Sequence, residues 1–303
     1  MRVVMTLLVR DEEDVLAANL DFHLAQGVDF VIATDNLSTD RTPEILRNYE
    51  RRGVMRTIHE PTDDYSQAIW VTRMARLAAQ EYGADWIINN DADEFWWPAR
   101  GTLRDVLAAV PDGIGVLEVP RHNFIAVESG GPFYERMLWR EAVSLNVHGH
   151  PLLPKVAHRA APDVMVAQGN HSVEGVHPAV VARSEMEILH FPLRHPAQFA
   201  NKIAKGGAAY ARNTALPPGV GSTWRSLFME LQADGDLSRH LAAAIHDPAR
   251  IAHRLAAGEI LLDTRLPDFM RTLCAPATEL DAGISFGHRS KIVIDLTPRR
   301  GAA

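Results

Sequence analysis

Ile88 to Pro98 read INNDADEFWWP. The run Trp86-Ile87-Ile88 is apolar and strand-like and ends in Asn89 and Asn90. Three carboxylates follow within four residues, Asp91, Asp93 and Glu94, and then come Trp96 and Trp97. Like charges this close repel, more so where water is partly excluded, so a positive partner is expected to share the site. A divalent cation is the simplest candidate, because Mg²⁺ and Mn²⁺ take carboxylate oxygens and keep waters and phosphate oxygens as remaining ligands. A bare D-x-D is common. The weight of this one comes from its position at the carboxyl end of a buried strand, where open α/β sheets bind ligands.

Outward from that stretch, the chain alternates strand and helix. Val3 to Val9 reads as a strand. DEEDVLAANLDFHLAQG follows as a helix, with Asp11 as its cap and acidic residues in its first turn. VDFVIATD is a second strand, followed by a helix with Thr42 as cap and Pro43 at its first position. VMRTIHE is a third strand, Tyr65 to Tyr82 a long helix closed by Gly83, and DWIINN the fourth strand. This order predicts an α/β fold with a mostly parallel sheet flanked by helices. Three polar clusters should converge at its carboxyl edge: Arg10-Asp11, then Asp35-Asn36 with Ser38 and Asp40, then Asp91-Asp93. Asp35 sits where a nucleobase or ribose would be hydrogen-bonded; the bland alternative is ordinary turn chemistry.

Further along, a short helix capped by Thr102 precedes GIGVLEVPRHNFIAV, which reads as one long strand. Residues 130–190, rich in Gly, Pro and His, predict short strands and loops. MEILHFPLR reads as a late strand, and Pro196 opens a helix. The expected organisation is a catalytic domain over 1–205 and a mainly helical region over 206–303, the latter governing acceptor choice or self-association into a homo-oligomer.

The 303 residues are 47% hydrophobic, ample for a packed core, and a net charge of −7 argues against nucleic acid as a partner. The single cysteine, Cys274, excludes an intramolecular disulfide framework and a cysteine zinc cluster and fits a reducing compartment. The apolar run near the N-terminus is too short for a transmembrane segment or a signal peptide. The expected location is cytoplasmic, at most peripheral to a membrane.

LLVRDEED, ATDNLSTDRT and TRMARLAAQEYGADWIINNDADEF together resemble a family 2-type glycosyltransferase of GT-A fold (Rossmann-like), and most of all the subgroup with a V-R-N-E-like opening and a D-A-D-E-F motif. The resemblance covers about the first hundred residues, with further pieces at LLPKVAHR, GNHS and LHFPLRHPAQFANKI. Asp11 stands where an Asn is usual, and Leu37 departs from the second motif. The Q-x-x-R-W motif of processive synthases is not found.

The resemblance implies a metal-dependent, inverting enzyme. It would use Mn²⁺ or Mg²⁺ and a UDP- or GDP-type sugar donor, and would glycosylate a glycan or other hydroxyl acceptor. Asp35 resembles the nucleotide-binding aspartate, beside Asn36, with Arg10 on the facing loop. Arg73 resembles an arginine that meets the D-x-D or the diphosphate. Asp91 and Asp93 resemble the metal- and ribose-binding pair at the catalytic centre, and His190 a late histidine that reaches the metal. Lys155, Arg159, Arg194, Lys202 and Lys205 offer cations to the diphosphate. Glu141, His171 and Glu174 are the candidate bases. Trp96 and Trp97 would stack an acceptor sugar or else pack under a loop. Two other classes compete: a catalytically silent nucleotide-sugar or glycan-binding GT-A module, and a D-x-D phosphatase. The phosphatase needs its nucleophilic Asp at the end of the first strand, whereas this motif ends the fourth.

Overall fold

The computed structural model describes residues 1–127, 130–146, 148–217 and 219–274. The first half alternates as expected: β1 (Val3–Val9), α1 (Leu16–Ala25), β2 (Phe30–Asp35), α2 (Thr42–Arg51), β3 (Met55–His59), α3 (Gln67–Gln80) and β4 (Trp86–Asp91). Then follow β5 (Glu94–Trp97), α4 (Leu103–Ala108), β6 (Val116–Val119), β7 (Arg121–Asn123), β8 (Ala126–Val127), α5 (Phe133–Arg136), β9 (Trp139–Glu141), β10 (Lys155–Arg159), β11 (Met165–Val166), β12 (Val173–Glu174), β13 (Val181–Arg183) and β14 (Glu187–His190). The late chain gives α6 (Pro196–Arg212), α7 (Ser222–Asp234), α8 (Ser238–Ala244), β15 (Ile245–His246), α9 (Pro248–Ala256), β16 (Ile260–Leu262) and α10 (Arg265–Cys274).

A seven-stranded sheet runs in the order β13-β6-β10-β4-β1-β2-β3. β1 pairs in parallel with β2 and β4, β2 with β3, and β6 with β13; only β10 runs antiparallel to its neighbours. The mixed α/β, mostly parallel GT-A architecture is therefore present. β1 and β4 are buried on both faces, which is why their sequences are near-continuous apolar runs.

A second sheet, β5-β14-β7, does the positioning. Its register sets His190 opposite Glu94 on one side and Asn123 on the other. The single long strand expected from GIGVLEVPRHNFIAV is broken. Pro120 lacks an N–H for the ladder, so the chain leaves the large sheet after Val119 and enters the small one at Arg121.

The aromatic surface after the acidic turn belongs to the core. Trp96 is fully buried, and its indole Nε1 donates to Asn90 Oδ1 at 2.9 Å. Trp97 stacks on Phe22. Acceptor stacking by this pair is thus set aside. Behind the turn, Asn19 of α1 donates to the carbonyls of Ala92 (2.9 Å) and Glu94 (2.8 Å) and accepts from Asn90 Nδ2 at 3.1 Å. His23, also on α1, accepts from the Trp96 N–H at 3.3 Å. The turn carrying Asp93 is held in shape by neutral groups.

Two expected caps differ. α1 starts at Leu16, not after Asp11, which adopts φ +55° and turns its carboxylate away from the helix. Asp40 Oδ1, not Thr42, receives the first amide of α2, and Thr42 Oγ1 instead accepts from the Glu12 N–H at 2.9 Å. Tertiary partners outbid the local cap in both places. Residues 205 and 206, the expected domain boundary, lie within α6. The late region is mostly helical over α7 to α10, and its expected continuation over 275–303 lies outside the described residues.

His23 supplies a test. Its Nδ1 donates to Asn19 O at 2.8 Å, and burial pushes its pKa from 6.5 down to about 4. A depressed folded pKa contributes stability that is present above the unfolded value and lost as pH falls toward the folded one, in full on the order of 3 kcal/mol. Urea unfolding at a series of pH values should show stability declining from about pH 6.5 toward 4. His23→Gln, which keeps a donor and an acceptor without titrating, should flatten that decline. An equally steep decline in the variant would remove His23 as a cause.

Candidate active site

A cavity of about 1120 Å³ opens at the carboxyl ends of β1, β2 and β4 and is bounded on the far side by α6, α7 and α9. Arg10, Asn36, Asp91, Asp93, Glu141, Lys155, His171, His190 and Lys202 all line it. Asp35, Arg73 and Glu174 do not. Asp35 is buried behind the wall, with Oδ1 accepting from the Ser38 N–H at 3.2 Å. Arg73 is engaged by Glu60 at 3.1 Å, and Glu174 stands exposed on β12.

The repulsion posed by the acidic turn is met by protein cations. Lys155, almost fully buried, donates to Asp91 and to the Gly169 carbonyl (2.9 Å), and its ammonium lies 3.5 Å from Glu94 Oε1. Asn170 Nδ2 (3.2 Å) and Gln67 Nε2 (3.5 Å) complete the set around Asp91. Asp93 accepts from Lys202 at 2.7 Å, with the Arg194 guanidinium at 3.6 Å. Lys202 also reaches Glu12 at 3.0 Å, and Lys205 pairs with Asp11. Burial alone would raise Asp93, but Lys202 and the neighbouring cations outweigh it and hold its carboxyl below the usual range. Glu94 has only Arg121 (3.1 Å) and Lys155 against full burial, which pushes it up to about 7. Arg10 is held by Asp63 at 2.6 Å. Arg194 is absorbed by Glu12 and Asp14 and is not on the cavity wall, and Arg159 faces Asp112 and the carbonyl of Ile114, also away from it.

His190 decides whether a metal ion fits. Asn123 Nδ2 donates to Glu141 Oε2 (3.2 Å) and to the Leu145 carbonyl (3.4 Å), so its Oδ1 faces His190 Nδ1 at 2.7 Å. Oδ1 can only accept, so Nδ1 carries the proton. Burial pushes the imidazole pKa down to about 3, which keeps the ring neutral and Nε2 a bare lone pair. That lone pair faces Asp93 Oδ1 at 3.8 Å. Two acceptors 3.8 Å apart with no proton between them would suit a cation. Among the described residues no group of three or more His, Cys, Asp and Glu side chains could hold a metal. His190 and Asp93 would supply a pair of ligands, and the rest would come from phosphate oxygens and water, as Mg²⁺ and Mn²⁺ commonly accept.

On the opposite wall, Glu141 of β9 turns its carboxylate into the cavity. Burial raises its pKa against the Asn123 hydrogen bond and the Arg254 guanidinium at 3.7 Å. His171 lines the cavity near Lys155. Its Nδ1 is tied to the Pro154 carbonyl at 2.8 Å, and burial, with Lys155 nearby, lowers its pKa to about 4. Asn123, Gln67 and Tyr210 carry no sequence signal, because a lone Asn between two strands looks like any turn residue. Asn170 was within reach, since it is the Asn of GNHS.

The model of glycosyltransferase family 92 matches residues 3–206, more than half of the chain. The chain belongs to that family. It is therefore a glycosyltransferase, and the broad class implied by the resemblance holds. No curated protein matches the chain significantly. Among solved structures, Staphylococcus aureus TarS 1-349 in complex with UDP-GlcNAc is similar at 13% identity and a TM-score of 0.43, over 80% of this chain and 76% of that one. Glucosyl-3-phosphoglycerate synthase from Mycobacterium tuberculosis, with Mn²⁺, UDP and phosphoglyceric acid, is similar at 18% identity and a TM-score of 0.31, over 52% and 56%. At such identities and scores neither neighbour's ligands transfer to this chain. No helix among the described residues is long and apolar enough to cross a membrane.

The tautomer assigned to His190 is directly testable. Long-range ¹H–¹⁵N correlation at neutral pH, without added metal, should show Nδ1 protonated and Nε2 bare. Asn123→Ala should give a tautomer mixture. A protonated Nε2 in the unsubstituted protein would contradict the hydrogen-bond assignment.

Proposed function

We propose that the chain transfers a glycosyl group from a UDP- or GDP-type donor to a hydroxyl of a glycan acceptor, with inversion, and that Asp93 and His190 hold a divalent cation, Mn²⁺ or Mg²⁺, against the donor diphosphate. The observation that carries this reading is the facing pair of lone-pair acceptors, His190 Nε2 and Asp93 Oδ1, inside a cavity at the strand ends. When bound, the ion supplies neutralisation of the leaving diphosphate without proton transfer.

The chain's own residues supply the rest. Lys155, Lys202 and Lys205 present ammonium groups to the same cavity, each already aimed by a carboxylate, so little reorganisation accompanies the build-up of negative charge on the leaving group. In this reading Asp91 acts chiefly by orienting Lys155. Arg10 and Asn36 border the end assigned to the nucleoside, and Asp35 shapes the loop behind them through Ser38.

Glu141 is the proposed base. It takes the proton of the acceptor hydroxyl as that oxygen bonds to the anomeric carbon. The bond from that carbon to the diphosphate oxygen breaks, and its electron pair leaves with the nucleotide. Attack from the face opposite the leaving group inverts the centre. A raised pKa makes the carboxylate a better proton acceptor near neutral pH. His171 stands beside Lys155 on the leaving-group side, and Glu174 is off the cavity wall, so neither is as well placed.

Thermal unfolding with UDP or GDP, each with Mn²⁺ or with a chelator, tests the donor site, since ligand stabilisation follows mass action. One nucleotide should raise the melting temperature, and the chelator should reduce the rise. No shift with either nucleotide in the presence of Mn²⁺ would remove the main support. His190→Ala should lower transfer about tenfold, about 1.4 kcal/mol of transition-state stabilisation, with partial recovery at higher Mn²⁺. An unchanged rate with unchanged metal dependence would make this histidine structural.

A further inference from the structure

The cavity is nearly balanced in charge. Every lysine and arginine on its wall except one holds a carboxylate among the described residues. The exception is Arg250 of α9, whose guanidinium reaches, among the described residues, only the carbonyl of Ala242, at 3.5 Å. The wall that carries it is firmly built. β15 pairs in parallel with β8, Ile245 opposite Ala126 and His246 opposite Val127. Buried His246 donates from Nδ1 to the Ala244 carbonyl (3.0 Å) and accepts at Nε2 from Arg254 (2.9 Å). Three acidic groups around α9 are already committed. Glu141 and Glu259 both lie against Arg254, and Asp247 caps α9 through the Arg250 N–H at 2.7 Å.

Arg250 and Arg254 stand four residues apart on α9, on the same helical face and about one turn, roughly 5.4 Å, from each other. Arg254 lies 3.7 Å from the proposed base, so Arg250 stands one helical turn along α9 from the residue that contacts it. His253 lines the same stretch of wall. An anion arriving there meets an uncommitted cation with a fork of donors suited to a carboxylate or a phosphate.

Resting on the transferase reading above, we propose that Arg250 makes the outer part of the cavity a subsite for an anionic acceptor, a sugar carrying a carboxylate or phosphate group close to the hydroxyl that is glycosylated. A neutral acceptor would leave the guanidinium to solvent and gain nothing from it.

The test is an NMR titration of the full chain with methyl glucuronide, glucose 6-phosphate and methyl glucoside. One or both charged sugars should bind about tenfold or more tighter than the neutral one, as a charge-assisted hydrogen bond allows. Arg250→Gln should bring the charged and neutral sugars level while leaving UDP stabilisation intact. Preference for the glucuronide alone identifies a carboxylate, and for the phosphate alone a phosphate. Equal binding of all three by the unsubstituted protein, no binding of either charged sugar, or a preference that survives Arg250→Gln would each overturn the proposal. UDP stabilisation reads the donor site separately. Its absence counts against the transferase reading, while the titration still decides the role of Arg250.

Discussion

Arg194 and Lys202 against Glu12 and Asp93 form the interaction on which the rest depends. Arg194 is wholly buried and bonds Glu12 at 2.5 Å across 182 residues of sequence; Lys202 bridges Glu12 and Asp93. An ion taken out of water without its partner costs several kcal/mol, and breaking such a pair typically costs about 3–5 kcal/mol. The loop after β1, the turn after β4 and the helix α6 are thereby obliged to meet. The same meeting creates the cavity, because α6 cannot reach Glu12 and Asp93 without roofing the strand ends. Like-charge repulsion, the feature of INNDADEFWWP that first demands a positive partner, is thus answered by the chain itself at most positions. Among the described residues, the gap between His190 and Asp93 is the place the proposal gives to an external cation.

What the sequence made legible follows from how local each cause is. β1, β2 and β4 are readable because largely buried strands need unbroken apolar runs. Asp11 misleads because an acidic run before an apolar periodic stretch has the composition of a helix start. Its partners, Lys205 and the Thr39 N–H, lie far away in sequence and are invisible there. Trp96 and Trp97 mislead in the opposite way, since their place in the core depends on α1 packing behind the turn. Pro120 is itself a legible breaker, and it splits the run into β6 and β7.

The site shows the same division. Asp91, Asp93, Lys155 and His190 reach one cavity, as the motif and the resemblance suggest, yet their roles separate once partners are counted. Asp91, partly exposed, takes donors from Lys155, Asn170 and Gln67, whereas Asp93 Oδ1 lies 3.8 Å from a bare imidazole nitrogen. That distinction rests on Asn123, which fixes the His190 tautomer and at the same time holds Glu141. No pattern in the sequence marks it, because its function exists only in the register of β7 against β14.

The central claim is that a divalent cation bridges His190 and the donor diphosphate. Pulsed electron paramagnetic resonance of Mn²⁺ added with UDP addresses it most directly. The account predicts a ¹⁴N coupling from one directly bound imidazole together with ³¹P coupling from the diphosphate, the nitrogen signal vanishing in His190→Ala. Phosphorus coupling without nitrogen in the unsubstituted protein, or a nitrogen signal that persists in the variant, would contradict it.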